Sequence, residues 1–150
     1  MTGLDYYDPL YHKAPWVHKS IGLIGLGIVL FRLVWRTVNP LPQSLSKSDA
    51  ERILASVAHF LLYAVLLLIF VSGYLISSAD GSAVSLFDWV DFPAVRLGID
   101  NQEDKAGVAH FYLAWGLIAI AALHMLAALK HHFIDKDRTL VRMLSPKKHD

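Results

Sequence analysis

Cysteine is absent from all 150 residues. That excludes structural disulfides, haem attached covalently at a C-x-x-C-H motif and iron–sulfur clusters held by thiolates, so any metal chemistry must use histidine, methionine or carboxylate ligands. Charge is scarce too, at 18% of residues, and its gaps are long. From Ile53 to Ser78, and again from Ala106 to Leu129, no Asp, Glu, Lys or Arg occurs. The chain has no H-E-x-x-H motif and no cluster of tetrahedral zinc ligands. It shows no internal repeat, and its start lacks the basic-then-apolar pattern of a cleavable signal peptide.

What remains is apolar: 55% of residues are hydrophobic, with a mean hydropathy of +0.41. A bilayer core of about 30 Å takes about 20 apolar residues as a helix, and both charge-free runs are long enough. A third run, Trp16 to Val38, carries only Lys19, Arg32 and Arg36, which can snorkel to head groups from its ends. The expectation is an all-α transmembrane helical bundle forming one membrane domain. Its three visible spans run at about 16–38, 50–78 and 104–133, the first beginning near Pro15, a residue favoured at helix starts. No nucleic-acid partner is expected.

Ten of the 14 Lys and Arg flank the first link or follow the last span: Arg32, Arg36, Lys47 and Arg52, then Lys130, Lys136, Arg138, Arg142, Lys147 and Lys148. The positive-inside rule therefore puts that link and the tail at 134–150 in the cytoplasm, and the N-terminus and the 79–103 loop outside. Within that loop "SLFDWVDFP" is short and amphipathic, suited to resting on the membrane surface. Lys13, Lys19 and Lys105 could draw an anion to the outer face. They are outnumbered there by Asp5, Asp8, Asp88, Asp91, Asp100, Glu103 and Asp104.

Eight histidines are many for such a chain. His18 lies about one turn into the first span, and His110 one to two turns into the third. Both are near the outer face on parallel helices, so two imidazoles could take both faces of one flat cofactor. His124 lies 14 residues beyond His110, about 21 Å along a helix and near the same face. That spacing suits two stacked cofactors, and haem, with two axial nitrogens and an apolar macrocycle, is the natural occupant. Gly22, Gly25, Ala114, Ala121 and Ala128 supply small neighbours at helical spacing, although such residues also let helices pack without any cofactor. A lone intramembrane histidine often serves only as a hydrogen-bond donor between helices. His59, at a depth like that of His124, is either a ligand or such a neighbour. His131 and His132 suit the inner boundary, and His12 and His149 the surface. Arg32, 14 residues after His18, is either a partner for a haem propionate or quinone oxygen or an ordinary snorkelling arginine.

The segments "YYDPLYHKAPWVHKSIG", "SGYLISSADG", "HFYLAWGLIAIAALHMLAALKHHFIDKD" and "TLVRML" together resemble the bacterial cytochrome b561 family of inner-membrane b-type cytochromes over nearly the whole chain. The resemblance implies a four-helix, di-haem electron carrier that exchanges electrons with ubiquinone, one branch resembling a superoxide:quinone oxidoreductase. It implies haem b as cofactor, with His18 and His110 as the ligands of the outer haem and His124 as one ligand of the inner haem. His59 matches a family histidine not usually assigned as an axial ligand. The family's other inner ligand comes from a His-bearing first helix, which would precede Met1. An upstream extension, a three-helix protein with one haem, and substitution by His59 remain open explanations.

The function expected on these grounds is a multi-pass protein of the bacterial inner membrane. It carries single electrons from an outer-face donor, superoxide among the options, through bis-His haem to quinone, either as an oxidoreductase or as a pure carrier. The alternatives are a haem-bearing anchor subunit for a soluble dehydrogenase or hydrogenase, and a haem-free packing or sensor protein. Lipid and quinone are the expected partners, with a homodimer or a redox partner protein as further options.

Overall fold

A computed structural model describes residues 7–8, 10–39 and 49–136. The N-terminal residues before Tyr7, most of the first link and the basic tail beyond Lys136 lie outside the described residues. The architecture is mostly helical, with element order α1 (Leu10–Val38), α2 (Asp49–Ser77), β1 (Val84–Leu86), β2 (Val90–Phe92) and α3 (Gln102–Phe133). All three helices are long and apolar enough to cross a membrane.

The helices start and stop for local reasons. Asp8 caps α1: its carboxylate accepts from the Leu10 N–H at 2.8 Å and its carbonyl from the Tyr11 N–H at 2.9 Å. Pro15 therefore sits inside the helix rather than at its start, one turn later than its residue type suggests. It withholds the N–H that the Tyr11 carbonyl would otherwise receive, so this turn of α1 forgoes one intrahelical hydrogen bond. At the far end the Asn39 side chain donates to the Trp35 carbonyl at 2.9 Å, and the sequence continues with Pro40 and Pro42, which cannot extend the helix. α2 and α3 open with Asp49 and Glu51 and with Glu103 and Asp104, charges that suit a positive helix N-terminus.

Between α2 and α3 the "SLFDWVDFP" segment folds as an antiparallel hairpin in register Val84↔Phe92, Ser85↔Asp91 and Leu86↔Val90. Its alternating, β-branched V-S-L and V-D-F strands suit pairing. The tip is less ordinary, because Phe87 and Asp88 both take positive φ, 49° and 60°, where Asn and Gly are the usual residues.

The described residues form two compact units. The first holds α1, the hairpin, α2 from Leu67 onward and α3 up to Leu113; the second holds α2 up to Leu66 and α3 from Ala114. Among the described residues only Val29, Val84 and Ala106 are buried apolar side chains, while Phe31, Phe60, Tyr112 and Leu123 stand more than half exposed. So much apolar surface in water would be an association hazard. On helices of this length it is what a multi-pass membrane protein presents to lipid.

Candidate functional site

In the first unit the imidazoles of His18 on α1 and His110 on α3 have ring centres 6.0 Å apart and planes at 86°. Two imidazoles holding one metal ion from opposite sides, each through a nitrogen about 2.0–2.1 Å away, have their ring centres roughly 6 Å apart. At that separation His18 and His110 would be able to hold one metal ion between them.

The orientation of His110 is set by α2. Its Nδ1 lies 3.1 Å from the Ile69 carbonyl and 3.0 Å from the Ser72 hydroxyl. A carbonyl only accepts, so in the neutral ring Nδ1 carries the hydrogen and Nε2 keeps the lone pair. That is the tautomer a metal ligand needs, held by the kind of backbone acceptor that orients ligating histidines elsewhere. Gly73 completes the seat: a Cβ there would stand 3.2 Å from His110 Cε1, tight enough to displace the ring. His18 itself is exposed. A Cβ on Gly22, one turn along the same face, would meet nothing within 4 Å, whereas one on Gly25 would come 3.1 Å from Phe70. The space over Gly22 is thus open, and that over Gly25 is closed by the Phe70 ring.

The other face of α1 carries the hairpin. Trp16 and Ser20, two residues either side of His18, project opposite to it on a helix. The Trp16 indole N–H donates to Asp88 at 3.1 Å, its ring meets Phe87 edge-on at 5.2 Å, and Ser20 Oγ accepts from the Phe87 N–H at 3.0 Å. Further along, the Tyr74 hydroxyl donates to the Pro93 carbonyl at 2.5 Å, and Ser78 Oγ lies 3.1 Å from that of Val95. Gln102 donates to the Leu75 and Val95 carbonyls and accepts from the Leu97 N–H. The loop is strapped to the beginnings of α1 and α3, the helices that carry His18 and His110, and to the end of α2.

In the second unit His59 on α2 and His124 on α3 are in ring contact, with centres 5.1 Å apart. That is closer than two imidazoles on opposite sides of one metal ion stand. At the end of α3 the Asp135 carboxylate receives Lys130 Nζ and His131 Nδ1, each at 2.8 Å. The lysine's hydrogen bond, above all, holds Asp135 below the ordinary carboxylate value. Arg32 lies exposed on α1.

The family model for prokaryotic cytochrome b561 matches residues 1–146. The chain belongs to that family. Its members are membrane proteins that carry haem b and transfer electrons. Among similar proteins, cytochrome b561 homolog 2 of Escherichia coli (strain K12) is 47% identical over 100% of this chain and 80% of its own length. The "Probable superoxide oxidase CybB" of Yersinia pestis is 31% identical over 89% of this chain and 77% of its own length.

The first unit fits haem on its own geometry, through the 6.0 Å imidazole pair, the fixed Nδ1–H of His110 and the bare helix turn at Gly22. Sequence reasoning identified the histidines and Gly22 but gave no role to Ser72, Gly73 or Ser20. Ser72 and Gly73 break an otherwise apolar run, and that interruption was the signal available.

Proposed function

We propose that this protein takes single electrons from a donor at the outer face and passes them to ubiquinone through a haem b held by His18 and His110. The observation that carries the reading is the 6.0 Å separation of those two imidazoles. When bound, haem supplies one-electron iron chemistry. The chain supplies the rest: His18 and His110 hold the iron, Ile69 and Ser72 set the His110 ring, Gly22 leaves room for the macrocycle, and the apolar spans exclude water. His124 is the proposed ligand of a second haem, with His59 as its ring neighbour. Arg32 is proposed to pair with a propionate or a quinone oxygen by charge-assisted hydrogen bonds.

Superoxide is the proposed donor, supported by the relative from Yersinia pestis whose name describes a superoxide oxidase. Superoxide oxidation releases one electron and needs no nucleophile or acid–base residue, which agrees with a site built of ligands alone. The inner membrane, with a cytoplasmic C-terminus, is the proposed location, from the distribution of Lys and Arg.

The reduced-minus-oxidised spectrum of the purified protein tests the haem assignment. A bis-His b-type signal should be present and should lose the same component in His18→Ala and in His110→Ala. Its persistence in both variants would sink the ligand assignment. Stopped-flow mixing with superoxide and a ubiquinone analogue tests the donor, since a pure carrier for another partner would show no turnover.

A further inference from the structure

We infer that Ser72 is a positioning residue for His110 and lowers the reduction potential of the iron that His110 holds. The inference rests on the reading of His110 as an iron ligand.

The atoms assign the roles. Ser72 Oγ lies 3.0 Å from the Ile69 carbonyl and 3.0 Å from His110 Nδ1. The hydroxyl has one hydrogen, and the carbonyl can only accept it, so that hydrogen points to Ile69. The oxygen lone pairs are then left for the Nδ1–H of His110, which the Ile69 carbonyl also receives at 3.1 Å. One N–H is shared by two acceptors, and Ser72 is only 6% exposed, so water does not replace the hydroxyl. Gly73 beside it keeps the ring close enough for both contacts.

Two acceptors on Nδ1–H push electron density into the ring and make Nε2 a stronger donor to iron. A stronger donor favours the more highly charged oxidised iron. Ser72 therefore sets the tautomer together with Ile69 and, beyond what the backbone carbonyl achieves alone, holds the potential down.

The test is a redox titration of the purified, haem-loaded protein, following the spectral component that His110→Ala removes. Ser72→Ala is expected to keep its haem and its bis-His spectrum while its midpoint potential rises. The rise should correspond to about a two- to tenfold shift in the oxidised-to-reduced ratio, the worth of one hydrogen bond. Ser72→Thr, which keeps the hydroxyl, is expected to restore the original potential. If Ser72→Ala does not retain haem, Ser72→Cys, with a side chain of similar size and a weak acceptor, is read in the same way. An unchanged or lowered potential in the alanine or cysteine variant overturns the inference and leaves the proposed function standing. A wild-type protein without any bis-His signal overturns the proposed function instead.

Discussion

The backbone N–H of Phe87 donates to the hydroxyl of Ser20, joining the tip of the hairpin to α1 across 67 residues of chain. Ser20 is fully buried, and the residue it holds sits at φ 49°, a conformation costly for a phenylalanine. The hydrogen bond and the Trp16–Phe87 ring contact offset that strain. Ser20→Ala should therefore destabilise the protein by about 1–3 kcal/mol, the cost of leaving a part-buried donor unpaired. Thermal unfolding in detergent measures it, and Ser20→Thr should recover part of the loss. Equal melting temperatures for wild type and Ser20→Ala would show that the hairpin is not held this way.

Gly22 and Gly25 should respond oppositely. Alanine at Gly25 meets the Phe70 ring at 3.1 Å, so Gly25→Ala should cost about 1–3 kcal/mol through overpacking. Phe70→Leu should relieve it, giving a favourable coupling in a double-mutant cycle. Alanine at Gly22 meets nothing, and the apoprotein should be unharmed or gain up to about 1 kcal/mol of helix propensity. Its haem occupancy should nonetheless fall, because the new methyl takes space beside His18. Undiminished haem content in Gly22→Leu would remove Gly22 from the proposed site.

Asp135 allows a prediction with pH. Its carboxyl titrates below the ordinary aspartate value, chiefly because Lys130 donates to it, with His131 adding to the effect. Lys130→Ala should move that titration upward, as followed by carboxyl NMR. A carboxyl with a depressed folded value contributes stability that is present above the unfolded value of about 3.9 and is lost as pH falls through the folded value. The difference between wild type and Asp135→Asn should accordingly be small near neutrality, the pair being exposed, and should vanish in strong acid.

The two histidines of the second unit should separate by variant. His124→Ala should remove the second haem signal, whereas His59→Ala should keep it with an altered spectrum, since the rings touch at 5.1 Å. Loss of the signal in both variants, with the first haem intact, would make His59 a ligand.

Much of this architecture can be read along the chain, because lipid imposes a local requirement. A span must be apolar over consecutive residues and satisfy its own backbone, so charge-free runs mark α2 and α3 without reference to any partner. Histidine depth follows from helical rise, which is why His18, His110 and His124 stand out together. The fold of "SLFDWVDFP" is not legible in this way. Its Phe87–Asp88 tip lacks the Asn-Gly pattern of such turns, and what stabilises it lies on α1.

By itself the sequence determined that the chain is helical, membrane-embedded and free of thiol ligands, and which imidazoles could reach a cofactor, because hydropathy and helical period act over neighbouring residues. Tertiary structure alone decided that Ser72 and the Ile69 carbonyl receive His110 Nδ1, 38 and 41 residues away. It likewise decided that Gly73 makes room for that ring and that Ser20 fastens a strained turn. Hydrogen bonds between distant segments depend on the docking of helices and on the path of a loop. Neither is encoded in the spacing of residues along one helix.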